Sequence, residues 1–249
     1  MNDPTLHIAS LVLAMARASA VLAALPFASR TWAGTYVIMP MALAVALLVP
    51  APLTELPSGP RMLLLVAKEA AVGLAVGLVI ARVFHIVAAS GALLDQQAGY
   101  TFGATLNPTV NMTTGPIETL FSTTLTLMLF SNAGAFTLAK SIALTFQGWP
   151  ALSLLPLQGG GAELFDPQLL GATVQLMHEL ALRLAAPAMA LLLMADISLM
   201  VASRYAQQLN PFSISLALKA LAMTLLLAWM LPRSLPQWRA LLDTAVPVP

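Results

Sequence analysis

The sequence has 249 residues, of which 59% are hydrophobic and 8% are charged. A soluble domain of ordinary composition carries about 25% charged residues. Eleven basic and ten acidic side chains are too few to build a water-facing shell around a chain of this size. The composition therefore argues against a soluble enzyme, and its hydrophobicity excludes an intrinsically disordered chain. It favours a polytopic membrane protein.

The charged and reactive residues exclude several classes of site. The net charge of +1 gives no support for a nucleic-acid partner. The absence of cysteine excludes disulfides, thiolate catalysis and iron–sulfur clusters. His7, His85 and His178 are far apart, and the sequence contains no HExxH or Ser-His-Asp pattern. We therefore expect no catalytic residue, no metal site and no cofactor.

Two apolar segments come first, over residues 5–28 and 32–50. Pro4 suits the first position of a helix, and Arg17 lies inside the first segment. No Lys or Arg precedes that segment, so we expect a retained helix rather than a cleaved signal peptide. Pro40 predicts a kink in the second segment.

Residues 61–94 are predicted to form one long helix. At 1.5 Å per residue it would reach roughly 50 Å, beyond the ~30 Å hydrocarbon core of a bilayer. It must tilt, bend or leave the bilayer. It carries Lys68 and Glu69 and then a GxxxG spacing, Gly73 and Gly77, which lets helix backbones approach closely. That motif could pack within the chain or against another subunit.

Residues 96–115 carry no charge and are rich in glycine, threonine and asparagine. Such a composition disfavours a helix, so we predict an irregular, neutral loop. Irregular backbone at membrane depth must be buried in protein or line a cavity. An ordinary aqueous loop and a constriction or plug in a pore are both open interpretations. The plug interpretation rests on Tyr100, Phe102, Gly103, Asn107, Pro108, Asn111, Met112 and Gly115.

Three further helices bring the predicted total to about six. Pro187 lies inside the fifth, and Pro232 and Pro236 introduce a short tail after the sixth. The sequence therefore predicts an all-α polytopic membrane protein with long, partly kinked helices. The last three predicted helices cover residues 117–146, 168–208 and 212–231.

Seven charged residues lie inside the apolar helices. Each costs about 2.5–3.5 kcal/mol at the centre of a bilayer, so they should face protein, water or one another. Glu179 and Arg183 are spaced to pair on one helix face. Pairing within the chain and contact with a lumen or another subunit are both open for the rest. The seven are Lys68, Glu69, Arg82, Asp95, Arg183, Asp196 and Lys219.

Two groups of residues, in this order and spacing, carry a family resemblance. The first group is Lys68, Glu69, Gly73, Gly77, Gly91, Asp95, Gln97 and Gly99. The second group is Pro187, Asp196, Arg204, Asn210 and Lys219. Over roughly residues 5–235 the chain resembles the FliR/SctT family, export-gate membrane proteins of flagellar and virulence type III secretion systems. The Trp149-Pro150 and Asn210-Pro211-Phe212 segments favour the virulence branch.

The resemblance implies a non-enzymatic structural and gating subunit in the bacterial inner membrane, within the basal body of the secretion system. The implied partners are five SctR/FliP-like subunits, four SctS/FliQ-like subunits, an SctU/FlhB-like switch protein, membrane lipid and exported unfolded proteins. It also implies an SctR/FliP-like part over about residues 1–165 and an SctS/FliQ-like helix pair over about 166–249. The implied plug loop is about 100–115, and the two groups of residues serve assembly and helix packing. A small secondary transporter, whose broken helices would look similar, is the alternative.

Overall fold

The computed structural model describes residues 4–26, 34–48, 53, 55–57, 59–100, 114–131, 134–154, 167–205 and 211–245. All regular structure in these ranges is α-helical, which confirms the predicted fold class. The described helices are α1 Pro4–Ala24, α2 Gly34–Leu48, α3 Gly59–Ala98, α4 Pro116–Phe130, α5 Gly134–Gly148, α6 Pro167–Tyr205 and α7 Pro211–Ala245.

Four of these helices are long and apolar enough to cross a membrane, judged by length and composition. The four spans are Pro4–Ala24, Gly59–Ala98, Val174–Tyr205 and Ile214–Thr244. The third helix, α3, is longer than predicted. Its 40 residues correspond to about 60 Å, twice the hydrocarbon thickness of a bilayer.

The prediction of one helix over 117–146 is wrong, because α4 ends at Phe130 and α5 begins at Gly134. The Ser131 N–H still bonds the Leu127 carbonyl at 2.9 Å, and the Gly134 N–H bonds the Ser131 carbonyl at 3.2 Å. A Cβ on Gly134 would lie 2.7 Å from the carbonyl carbon of Leu129. A side chain at position 134 would therefore not fit where α5 begins. The apolar sequence pattern continues from α4 into α5 and gives no sign of this interruption.

The prediction that the last helix ends at residue 231 is also wrong. Helix α7 continues through Pro232 and Pro236 to Ala245. A proline inside a helix removes a backbone hydrogen bond and costs about 3 kcal/mol or more. Packing offsets this cost, because Trp238 is 1% exposed and its ring centroid lies 4.8 Å from that of Phe121, edge to face.

The chain divides into two compact units. The first contains Met1–Phe84, Thr126–Gln175 and Leu242–Pro249, and the second contains His85–Leu125 and Leu176–Leu241. Helix α3 contributes its first part to one unit and its last part to the other. The first unit buries Arg17 and Glu69, and the second buries Asp95.

In the first unit, the GxxxG motif packs against α1 of the same chain. A Cβ on Gly73 would lie 2.9 Å from the Ala20 Cβ, and one on Gly77 would lie 2.7 Å from the Ala24 Cβ. Neither distance leaves room for a side chain. The motif therefore packs within the chain, and its contact with another subunit stays a prediction.

In the second unit, α3 and α4 approach each other at Gly91. A Cβ at this position would lie 2.7 Å from the Glu118 Cα. On α4, Ile117, Phe121 and Leu125 are buried. This close approach brings the end of α3 next to the beginning of α4.

Candidate functional site

The first polar group, here called the Arg17 cluster, consists of Arg17, Lys68, Glu69 and the turn that follows α5. Arg17 Nε pairs with Glu69 Oε2, and Lys68 Nζ lies 2.6 Å from Glu69 Oε1. The Arg17 and Glu69 side chains are fully buried, and that of Lys68 is 9% exposed. Two cations therefore share one carboxylate, which leaves the trio with an excess positive charge.

Backbone carbonyls of the turn after α5 compensate this excess charge. Arg17 Nη2 donates to the Trp149 carbonyl at 2.8 Å. Lys68 Nζ donates to the carbonyls of Pro150, Ala151 and Ser153 at 3.0, 2.9 and 3.2 Å. The carboxyl end of a helix carries a partial negative charge that favours nearby cations. The turn and the two basic side chains thus stabilise each other.

The guanidinium of Arg17 has two further partners on α5. Arg17 Nη1 donates to Thr145 Oγ1 at 3.0 Å, and the guanidinium carbon lies 3.7 Å from the centroid of the Phe146 ring. The latter is a cation–π geometry. The Arg17 cluster therefore joins α1, α3 and α5. Sequence reasoning selected Lys68 and Glu69 but missed Arg17, although a lone arginine inside an apolar span was the available signal.

The second polar group, here called the loop base, surrounds the two ends of the predicted plug segment. The structure brings together six residues that sequence analysis selected for assembly or for the plug, and all six belong to the second unit. They are Asp95, Gln97, Gly99, Gly115, Asp196 and Lys219.

Asp95 caps the amino end of α4 from the last turns of α3. Its Oδ1 accepts the Ile117 N–H at 3.0 Å, and its Oδ2 accepts the Glu118 N–H at 2.9 Å. The first N–H groups of a helix lack partners within the helix and favour an anion. The Asp95 carboxylate is buried and accepts hydrogen bonds from two of these N–H donors.

Two glycines occupy positions near the loop base where a side chain would not fit or would be strained. A Cβ on Gly115 would lie 2.7 Å from the Asp95 Cβ and would displace its carboxylate. Gly99 has φ +83°, a conformation in which only glycine is free of strain. Its N–H bonds the Gln96 carbonyl at 3.2 Å and ends α3.

Lys219 and Asp196 hold the end of α3 from α7 and α6. Lys219 Nζ lies 2.7 Å from Asp196 Oδ2 and donates to the Gln97 carbonyl at 3.1 Å. Ser215 Oγ donates to Asp196 Oδ1 at 3.2 Å. A lysine at the carboxyl end of a helix satisfies a carbonyl that lacks a partner within the helix. The ion pair therefore fixes the point at which the chain leaves α3.

Most of the predicted plug lies outside the described residues. Tyr100 and Gly115, at its two borders, are described. The remaining candidates and one assembly candidate are not, and their roles stay predictions. These are Phe102, Gly103, Asn107, Pro108, Asn111, Met112 and Asn210.

The other predicted residues are on α3 and α6. Arg82 is partly exposed on α3, Pro187 lies within α6, and Arg204 is exposed in the last turn of α6. The predicted pair of Glu179 and Arg183 is present at 2.5 Å, with side chains 51% and 71% exposed. In the part of the chain that the structure covers, no group of three or more potential metal ligands occurs.

Comparison with known proteins identifies the family to which this chain is similar. The chain matches the family described as "Bacterial export proteins, family 1" over residues 8–245. It is 28% identical over 167 residues to Yop proteins translocation protein T of Yersinia pestis, covering 67% of this chain and 62% of that protein. It is 30% identical over 174 residues to secretion system apparatus protein SsaT of Salmonella typhimurium, covering 69% and 64%. With flagellar biosynthetic protein FliR of Bacillus subtilis the identity is 28% over 157 residues, covering 63% and 60%.

These alignments span less than two thirds of the length of each of the three relatives. The two virulence-type relatives match over more of this chain than the flagellar one does, in agreement with the predicted branch. The family consists of export proteins rather than enzymes. Together with the four apolar spans, it confirms the predicted location in a bacterial inner membrane. Since the family match covers almost the whole chain, this protein belongs to the bacterial export proteins of family 1, the FliR/SctT family that its residue pattern resembles.

Proposed function

We propose that this protein is a structural and gating subunit of a type III secretion export gate. In this role it forms part of a closed channel through which unfolded proteins leave across the inner membrane. Family membership and the names of the Yersinia and Salmonella relatives, a translocation protein and a secretion apparatus protein, support the proposal.

The observation that carries the gating part is the cap made by Asp95. The carboxylate lies near the end of α3 and bonds the first amides of α4. The last turns of α3 and the first turn of α4, which flank the segment 101–113 in the sequence, are therefore held together. This segment carries no charge, so it has no ionic attraction for a passing polypeptide. A neutral segment with fixed ends suits a plug that must give way and then return.

The proposed assembly contains five SctR/FliP-like and four SctS/FliQ-like subunits and an SctU/FlhB-like switch protein. In the proposed arrangement, residues 1–165 take the place of an SctR/FliP-like subunit and residues 166–249 that of an SctS/FliQ-like helix pair. The low burial of α6 and α7 supports a role in subunit contacts. Only 17% and 6% of their most apolar windows are buried within the chain.

The test is to shorten the segment 103–114 in the assembled complex and to measure leakage of ions and small molecules through it. We expect the shortened protein to assemble and to leak, because less chain is left to close the channel. An equal deletion within residues 155–166, another segment between two helices, is the matched control and should not leak. An assembled complex with unchanged permeability would contradict the plug.

The alternative of a small secondary transporter has lost its support, because the chain belongs to a family of export proteins. Mass measurement after purification in mild detergent distinguishes the two. The export gate predicts a stoichiometric complex of about ten chains, whereas a stable monomer that binds a solute would favour the transporter.

A further inference from the structure

Arg82 differs from the other six charged residues that the sequence places inside apolar helices. Among the described residues it makes no hydrogen bond, ion pair or cation–π contact. A guanidinium carries a permanent charge and five N–H donors, so the described part of the chain leaves Arg82 without compensation. The other six all have partners: Lys68 and Glu69 in the Arg17 cluster, Asp95 at the amino end of α4, Arg183 beside Glu179, and Lys219 with Asp196.

The acidic residues of α3 are too far from Arg82 to neutralise it. The nearest acids on this helix are Glu69 and Asp95, and each is 13 positions away from Arg82. This separation corresponds to about 20 Å along the helix axis. An ion pair needs an N···O distance of about 4 Å or less. The helix that carries Arg82 therefore supplies no counter-charge.

The side chain of Arg82 belongs to the outward face of α3 in the first unit. Its neighbours in sequence, Ala81 and Val83, are 0% and 2% exposed. Leu78 and Leu74, four and eight positions earlier, share the helix face of Arg82 and are 51% and 48% exposed. Arg82 itself is partly exposed. We call Leu74, Leu78 and Arg82 the outer face of α3, an apolar surface with one positive charge.

The composition of the outer face of α3 indicates the chemistry of what covers it. The two leucines favour an apolar surface, and a charge inside an apolar helix typically pairs with an opposite charge. A guanidinium binds a carboxylate through two parallel hydrogen bonds. Membership in a family of export proteins implies assembly with other subunits of an export apparatus. A helix of such a subunit can supply both the apolar surface and the carboxylate.

We infer that the outer face of α3 contacts a helix of a neighbouring subunit, and that this helix carries an aspartate or glutamate opposite Arg82. The inference rests on the proposed assembly and is independent of the plug.

The first test compares complex formation with the stability of the chain itself. Arg82→Leu removes the charge and keeps an apolar side chain on the outer face. We expect the isolated protein in mild detergent to keep its Tm within about 2 °C, because no described residue pairs with Arg82. The yield of complex purified with its partner subunits should fall about tenfold, equivalent to about 1.4 kcal/mol.

Two further variants show whether the charge itself is responsible. Arg82→Lys keeps the positive charge and should retain more complex than Arg82→Leu does. Arg61→Leu is the matched control, because Arg61 is exposed in the first turn of the same helix and lies outside the outer face. It should assemble as wild type does.

Cross-linking then identifies the covering surface. Benzoylphenylalanine in place of Leu78 leaves Arg82 intact, and in the assembled complex it should cross-link to a partner peptide that contains aspartate or glutamate. Replacement of that acid by arginine should lower the yield of complex. Its combination with Arg82→Glu should restore the yield, because the two charges are then exchanged.

The outcomes separate this inference from the proposed function. A wild-type chain that forms no complex would contradict the proposed function itself. Wild-type assembly with an equal yield for Arg82→Leu would overturn the inference alone. Cross-links to lipid only would assign Arg82 to a phosphate, and cross-links only within the same chain would assign its partner to this protein. Either result would also overturn the inference.

Discussion

Replacement of Glu69 by glutamine removes the carboxylate that Arg17 and Lys68 share. The amide has nearly the same shape, so the change alters charge and leaves the packing almost intact. Both cations would stay buried, with Arg17 Nε facing a group that cannot neutralise it. The structure also supplies a control in the same chain. Glu179→Gln breaks an ion pair of 2.5 Å whose side chains are 51% and 71% exposed.

The expected loss of stability depends on how deeply each ion pair is buried. Removal of one partner from a buried ion pair costs about 3–5 kcal/mol, because a charge is left without compensation. We expect the lower end of this range for Glu69→Gln, since Lys68 keeps three carbonyl acceptors. An exposed pair contributes about 0.2–1 kcal/mol, which is the expected cost of Glu179→Gln. For a chain of this size, about 3 kcal/mol corresponds to a decrease in Tm of about 6–12 °C.

The assay is thermal unfolding of the purified protein in mild detergent, followed by tryptophan fluorescence. Trp149 reports on the cluster directly, because its carbonyl accepts a hydrogen bond from Arg17. A double variant, Arg17→Met with Glu69→Leu, replaces the pair by apolar side chains and should unfold at a higher temperature than Glu69→Gln. Equal Tm shifts for Glu69→Gln and Glu179→Gln would refute the reasoning, because the cluster would then be hydrated.

Three further substitutions probe the helix contacts. Asp95→Leu removes the cap of α4 and should cost about 0.5–2 kcal/mol and impair assembly or secretion; wild-type secretion would exclude Asp95 from the site. Gly73→Leu should lower the yield of assembled complex, because its side chain would collide with α1, whereas Gly171→Leu should not, because a Cβ at Gly171 has no atom within 4 Å. Normal yield of the Gly73 variant would mean that α1 can move aside. Lys219→Met should leave Asp196 without its cation and lower the Tm by more than the double variant Lys219→Met with Asp196→Leu does; the reverse order would show that an unpaired Asp196 carries no penalty at this site.

The class of protein and most helix positions could be read from the sequence, because both depend on local composition. A long apolar run must form a helix to satisfy its own backbone in lipid. A neutral stretch of glycine, threonine and asparagine interrupts such a run. Asp95 was selected as a charge inside an apolar helix, Gly115 as part of the neutral stretch and Gly99 through the family resemblance, and the structure places Gly115 against Asp95. The apolar pattern failed at 131–134 and after 231, where backbone crowding at Gly134 and burial of Trp238 decide the outcome.

The partners of the buried charges could not be read from the sequence. Glu69 pairs with Arg17, 52 positions earlier, and Lys68 bonds carbonyls more than 80 positions later. Spacing along a helix predicts only pairs such as Glu179 and Arg183, one turn apart. The sequence alone determined that these charges must be kept away from hydrocarbon, because the cost of exposing an ion to hydrocarbon is a property of the side chain. Only the tertiary structure decided which groups pair with them, since ion pairs and carbonyl contacts depend on which helices lie side by side.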